Sequence, residues 1–97
     1  MPPATRLGDQ STGHPCHAPV PAVQGSPNTF TNGKPNVRKG DMYASHCCGP
    51  ACHAGGLAIG SSTVFINGKP AGRQGDYKDC SILDSAQDHS SNVHIGG

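Results

Sequence analysis

Apolar residues along this chain come in short bursts, none longer than three or four residues, set between Gly, Pro, Asn and Ser. Bursts of that length supply neither a membrane span nor a signal-peptide core. Residues 29–31 and 63–66 are short β-type runs, and each is followed by an Asn-Gly pair, Asn32-Gly33 and Asn67-Gly68. Asn-Gly favours a two-residue type I′ hairpin turn because both central positions need positive φ. The predicted return strands carry Val37-Arg38 and Gly72-Arg73 and stop at Gly40-Asp41 and Gly75-Asp76.

These hairpins belong to a repeat. Pro3-Ala4-Thr5-Arg6-Leu7-Gly8-Asp9 returns as Pro35-Asn36-Val37-Arg38-Lys39-Gly40-Asp41 and again as Pro70-Ala71-Gly72-Arg73-Gln74-Gly75-Asp76, at offsets of 32 and 35 residues. The hairpin segment that precedes the second and third copies, residues 25–34 and 60–69, has its own third copy at the end of the chain, over residues 90–97. The chain therefore starts in the second half of one repeat and finishes with the first half of another. Three repeats with the cut inside a hairpin place the two termini side by side, Gly96-Gly97 against Pro2-Pro3. Repeated units stack to bury what none can bury alone. In the Arg-x-Gly-Asp element, Gly supplies an unusual backbone angle, Asp closes the turn on a backbone N–H, and Arg lays its stem on the surface with its head in water.

Composition narrows the reading. The chain has 97 residues, 33% of them hydrophobic and 4% aromatic, with 14 Gly and 9 Pro. That is one small domain over residues 1–97, with little room for a long helix and a thin core that needs a staple. A net charge of +1 gives no basic field for nucleic acid or an acidic membrane. Glu is absent, so acid–base chemistry would fall to Asp, His or Cys. Five Cys fit poorly with a fully paired disulfide framework. Without a signal peptide the thiols are expected to meet a reducing cytoplasm first.

Cys and His supply the staple. His14 lies five residues after Asp9, His46 five after Asp41, and Cys80 four after Asp76. Related by a threefold, these three side chains converge on one axis and leave the fourth tetrahedral position of a structural zinc site along it. The middle loop, residues 45–56, can fill that position. His53 is the first choice, with Cys52, Cys48 and Cys16 in reserve. His17, Cys16, Cys47, Cys48 and Cys52 are too many for one ion, and Cys47 with Cys48, or Cys48 with Cys52, could pair after export. His94 stands where Phe30 and Phe65 stand in the other copies, which marks it as a packing or interface residue; His89 lies in the same last segment.

The repeated Gly-Ser-x-x-Val/Thr-Phe-x-Asn-Gly-Lys-Pro-Ala/Asn-x-Arg-x-Gly-Asp resembles the PAAR-repeat family over essentially the whole chain, most closely at residues 68–76. The namesake tetrapeptide is imperfect, since Pro70-Ala71-Gly72-Arg73 has Gly in third place and Pro35-Asn36-Val37-Arg38 departs at two. The resemblance implies an all-β cone of three pseudo-threefold β-hairpin repeats, with one zinc near the apex bound by three His and one Cys. Carried onto this chain, the ligands are His14, His46, His53 and Cys80, with adjacent Cys47 and Cys48 as alternatives to His46.

The resemblance also implies a non-enzymatic spike tip. It would cap and sharpen the trimeric β-helical spike of a contractile phage tail or type VI secretion system (a valine-glycine repeat or tail-spike β-helix) to help pierce the target envelope. The protein would be cytoplasmic before assembly and then at the spike's end, a monomer on a threefold partner that touches the target membrane transiently and can carry effector cargo. Thr29, Phe30, Val64, Phe65, Val93 and His94 would lie nearest the spike, whose exposed strand edges need a cover; alternation leaves open which face of each strand turns to the cone and which to the partner. With Gly97 completing the third repeat, the expectation is a bare tip without an effector domain.

Three rivals come from other classes. A zinc hydrolase needs an open metal position and a general base, yet Glu is missing and the repeat's Asp residues sit in turns. A zinc nucleic-acid module needs clustered cations, whereas Lys34, Lys69, Arg38 and Arg73 are spread over the hairpins. A secreted disulfide miniprotein would show few free thiols.

Overall fold

The computed structural model describes residues 1–96. They form a small all-β domain of four separate antiparallel hairpins: β1 (Phe30–Thr31) with β2 (Lys34–Pro35), β3 (His46–Cys48) with β4 (Ala51–His53), β5 (Phe65–Ile66) with β6 (Lys69–Pro70), and β7 (Tyr77–Lys78) with β8 (Ser81–Ser85). No described helix is long and apolar enough to cross a membrane. The molecule is elongated, 37 × 24 × 22 Å.

The Asn-Gly turns form as expected. Asn32 and Asn67 lie at φ 54°, Gly33 and Gly68 at φ 77° and 76°, the left-handed pair a type I′ turn requires. No hairpin turn closes the third copy; instead the chain's two ends meet there. Pro3 bridges His94 and the Ile95 N–H donates to Pro2 O at 2.8 Å, so the ends meet as the repeat pattern required, with Pro2-Pro3 against His94-Ile95 and Gly96 by Met1; Gly97 lies outside the described residues. Two hairpins that the repeat did not predict, β3–β4 and β7–β8, arise in the His/Cys segments. The expected open loop over residues 45–56 is thus a paired one.

The same hydrogen bonds recur in all three copies. Ser26, Ser61 and Ser90 each accept from backbone N–H groups two and three residues on. Each hydroxyl then donates into a neighbouring copy: Ser26 and Ser90 to the turn residues Asn67 and Asn32, and Ser61 to Gly96 O where the chain ends meet. Arg38, Arg73 and Arg6 reach Asn67, Gly96 O and Asn32 in the same order. Every copy is therefore tied to the next and the last to the first. A pair of backbone donors at each serine would otherwise be stranded near the interior, where an unmet polar group costs about 1–3 kcal/mol.

One expectation about the turns is corrected. Arg6, Arg38 and Arg73 do not leave their heads in water. Each forks onto both carboxylate oxygens of its own Asp, at 2.8–3.2 Å, with 11–14% of the Arg side chain exposed. The intervening Gly8, Gly40 and Gly75 at φ 90–91° bend the backbone far enough for a two-pronged contact across three residues.

The interior is thin, as the composition implied. Ala22, Val37, Tyr43, Leu57 and Ala86 form one cluster, and Ala4, Ile66, Ala71 and Ile95 a second. Bridges Arg6–Asn36, Arg38–Ala71 and Ala4–Arg73 link the copies around these clusters.

Candidate metal centre

Three separate pieces of chain bring the site together. His14 opens a tight turn in which residues 14 and 17 exchange both backbone hydrogen bonds, at 3.0 and 2.7 Å, around Pro15-Cys16. In β3–β4 the register sets His46 directly opposite His53. Cys80 sits in the β7–β8 connection. One donor atom from each of these four residues lies within 4.8 Å of every other. His53 Nε2 is 3.0 Å from His14 Nε2 and 2.9 Å from His46 Nε2, and Cys80 Sγ is 3.9 Å from His14 Nε2.

The hydrogen bonding shows what the cluster is short of. His46 is buried, and its Nδ1 lies 2.7 Å from Ala18 O. A carbonyl only accepts, so Nδ1 carries a proton, and in the neutral ring Nε2 faces His53 with its lone pair. One proton on His53 Nε2 can serve His46 or His14 but not both. A cation among the donors satisfies all of them at once. Tetrahedral zinc, with bonds of roughly 2.0–2.1 Å to nitrogen and 2.3 Å to sulfur, sets its ligand atoms roughly 3.3–3.6 Å apart, within the spread found here. The donor set fits a divalent metal that accepts imidazole and thiolate.

The electrostatics agree. Burial, helped by neighbouring His17 and His46, pushes the His14 and His53 imidazoles below their ordinary value, toward the neutral form that ligands need. Burial pushes the Cys80 thiol up, so without a cation it holds its proton. Behind the ligands lies Asp84, fully buried, with Oδ2 3.8 Å from both His46 Nε2 and Cys80 Sγ. Burial alone would raise its carboxyl, but the Lys78 ammonium at 2.9 Å, Ser11 and the Gly13 N–H hold it below the usual range. Lys78 is itself buried, 4.9 Å above the Tyr43 ring.

No protein-family model matches this chain, and no curated protein does. The site is therefore defined by its own geometry.

Of the sequence-predicted residues, His14, His46, His53 and Cys80 are brought together. The reserve ligands are not free: Cys16 is bonded to Cys48 and Cys47 to Cys52. The pairings differ from Cys47–Cys48 and Cys48–Cys52, and the β3–β4 register explains why. Adjacent strand residues face opposite ways, so Cys47 and Cys48 point apart, while Cys47 stands directly across from Cys52 with Cα atoms 4.0 Å apart. The odd number of cysteines reflects two disulfides plus Cys80, the one free thiol among the described residues. His17 stacks on His14 and His53 with ring centroids 4.5 and 4.2 Å away. His94 is exposed beside Pro3, and His89 is exposed as well. Sequence reasoning missed Lys78 and Asp84. Their local pattern misleads, because in Ser81–Ser85 the apolar Ile82 and Leu83 are exposed and the acid is inside.

Proposed function

We propose that this protein is a PAAR-type spike tip, a zinc-stapled pseudo-threefold cone that caps the trimeric β-helical spike of a contractile injection machine. The observation that carries the reading is the closed cycle of Ser and Arg bonds from each copy to the next. A single chain that repeats one arrangement three times can meet three equivalent edges of a trimer. The apolar positions of those copies support it: Phe30 and Phe65 are each 57% exposed, and Val64 and Val93 are exposed at the preceding position of their own copies. A small domain leaves such side chains in water at equivalent places when a partner covers them. The His/Cys segments carry one structural zinc at the cone's apex, where stiffness rather than catalysis is needed. Nothing in the function calls for turnover.

The test is association with the trimeric β-helical spike protein of the same system. One copy of this chain per spike trimer, at micromolar concentration, is expected on gel filtration. Phe30→Asp with Phe65→Asp is expected to abolish the complex while leaving the thermal midpoint within a few degrees. A wild-type chain that elutes apart from the trimer would sink the proposal.

A further inference from the structure

Both disulfides join segments that carry cluster ligands. Cys16–Cys48, 32 residues apart in sequence, ties the turn bearing His14 and His17 to β3, which bears His46. Cys47–Cys52 crosses β3–β4 one residue inside the His46–His53 pair. Cys16 stands at φ 71°, a left-handed conformation that a residue with a side chain rarely adopts. The turn keeps that conformation while its sulfur is tethered to β3. The turn's His17 in turn packs face to face on two of the ligand rings. Cys16, Cys47 and Cys52 are exposed, so a thiol reagent reaches both bonds, whereas Cys80 is partly covered within the cluster.

We propose that Cys16, Cys48, Cys47 and Cys52 are a thiol-oxidation site that gates the metal centre. Oxidised, they hold the ligand segments in register, so the metal binds tightly and leaves slowly. Reduced, the turn bearing His14 is released and the metal exchanges. The inference rests on the reading of His14, His46, His53 and Cys80 as a metal centre.

The oxidant is a small disulfide of the glutathione class. One cysteine thiolate attacks it, its S–S bond breaks, and one thiol departs. The partner cysteine then attacks the mixed disulfide, and the second thiol departs. Two S–H bonds are lost and one S–S bond is gained; two electrons and two protons end on the two released thiols. A chain made in a reducing compartment would therefore load metal reversibly and lock it in on reaching an oxidising one.

The experiment compares zinc affinity, by competition with a chromophoric chelator, for wild-type protein kept oxidised and for the same protein reduced with a phosphine that is then removed. The oxidised form is expected to bind at least about tenfold more tightly, the low end of what losing a supporting partner costs a metal site, and to release zinc more slowly. Cys16→Ser with Cys48→Ser should show the weaker affinity under either condition, with circular dichroism reporting whether the β fold persists. Should that variant not fold, reversible reduction of the wild type decides alone. Equal affinities overturn the gating and leave the metal centre standing. Zinc uptake by neither form overturns both. Reduction that unfolds the zinc-loaded chain also overturns the gating, which requires the fold to outlast the bonds.

Discussion

At the scale of single residues, the cluster depends on protonation and on one buried hydrogen bond. His46 is oriented by Ala18 O and has its Nε2 free, so it contributes both a ligand and the tautomer that makes it one. His46→Ala is expected to lower zinc affinity more than about 100-fold, beyond the roughly 10–100-fold that loss of an outer partner costs; the chelator competition reads it. The depressed His14 and His53 values set the pH response of the metal-free protein. Their folded-state values lie below the unfolded ones, so between the two the unfolded chain binds more protons. Stability therefore falls as pH drops from neutrality through the ordinary histidine value and levels off below the folded-state values. Urea unfolding of chelator-treated protein across that range checks the sign. His14 was legible as a candidate from its spacing after Gly8-Asp9 and His53 from its place in the middle loop, but the direction of their shifts is not a property of spacing.

At the scale of elements, two kinds of turn carry the fold. The Asn-Gly turns were legible because their φ requirement is local. The Arg-x-Gly-Asp turns were legible as turns, yet the buried fork of Arg onto Asp was not, since it depends on neighbouring copies covering the guanidinium. Asp41 accepts from the Arg38 N–H as well as from its guanidinium. Asp41→Ala leaves a poorly hydrated Arg and an open turn, and is expected to cost about 3 kcal/mol, read as a shift in urea midpoint. Strand register decides the cysteines in the same way. One residue of slip by β3 against β4 would turn His46 outward and Cys47 inward.

On the scale of the whole molecule, two thin apolar clusters are supplemented by two disulfides and by a His/Cys cluster able to hold a metal ion. A disulfide closing a loop of this length contributes about 2–4 kcal/mol, and a structural zinc about 10–16 kcal/mol in apparent terms. Removing the metal from oxidised protein is therefore expected to lower the thermal midpoint strongly while β structure persists at room temperature. Removing metal and disulfides together is expected to lower the midpoint further, with the hairpins still formed at room temperature. Thermal scans followed by circular dichroism distinguish the two, and an unchanged midpoint on chelation would contradict a structural metal.

The sequence by itself determined the repeated motif, the meeting of its two ends, the turn types and the residues eligible to bind metal, because the first two follow from matching segments of the chain and the others from backbone angles and local spacing. Tertiary structure alone decided which cysteines pair, that Cys80 stays free, and that Lys78 and Asp84 lie buried behind the ligands. Those outcomes turn on which face of a short strand points inward. Most of these strands are two or three residues long, and in the five-residue β8 the exposed pair Ile82-Leu83 breaks the alternation, so only packing against the rest of the chain selects the face.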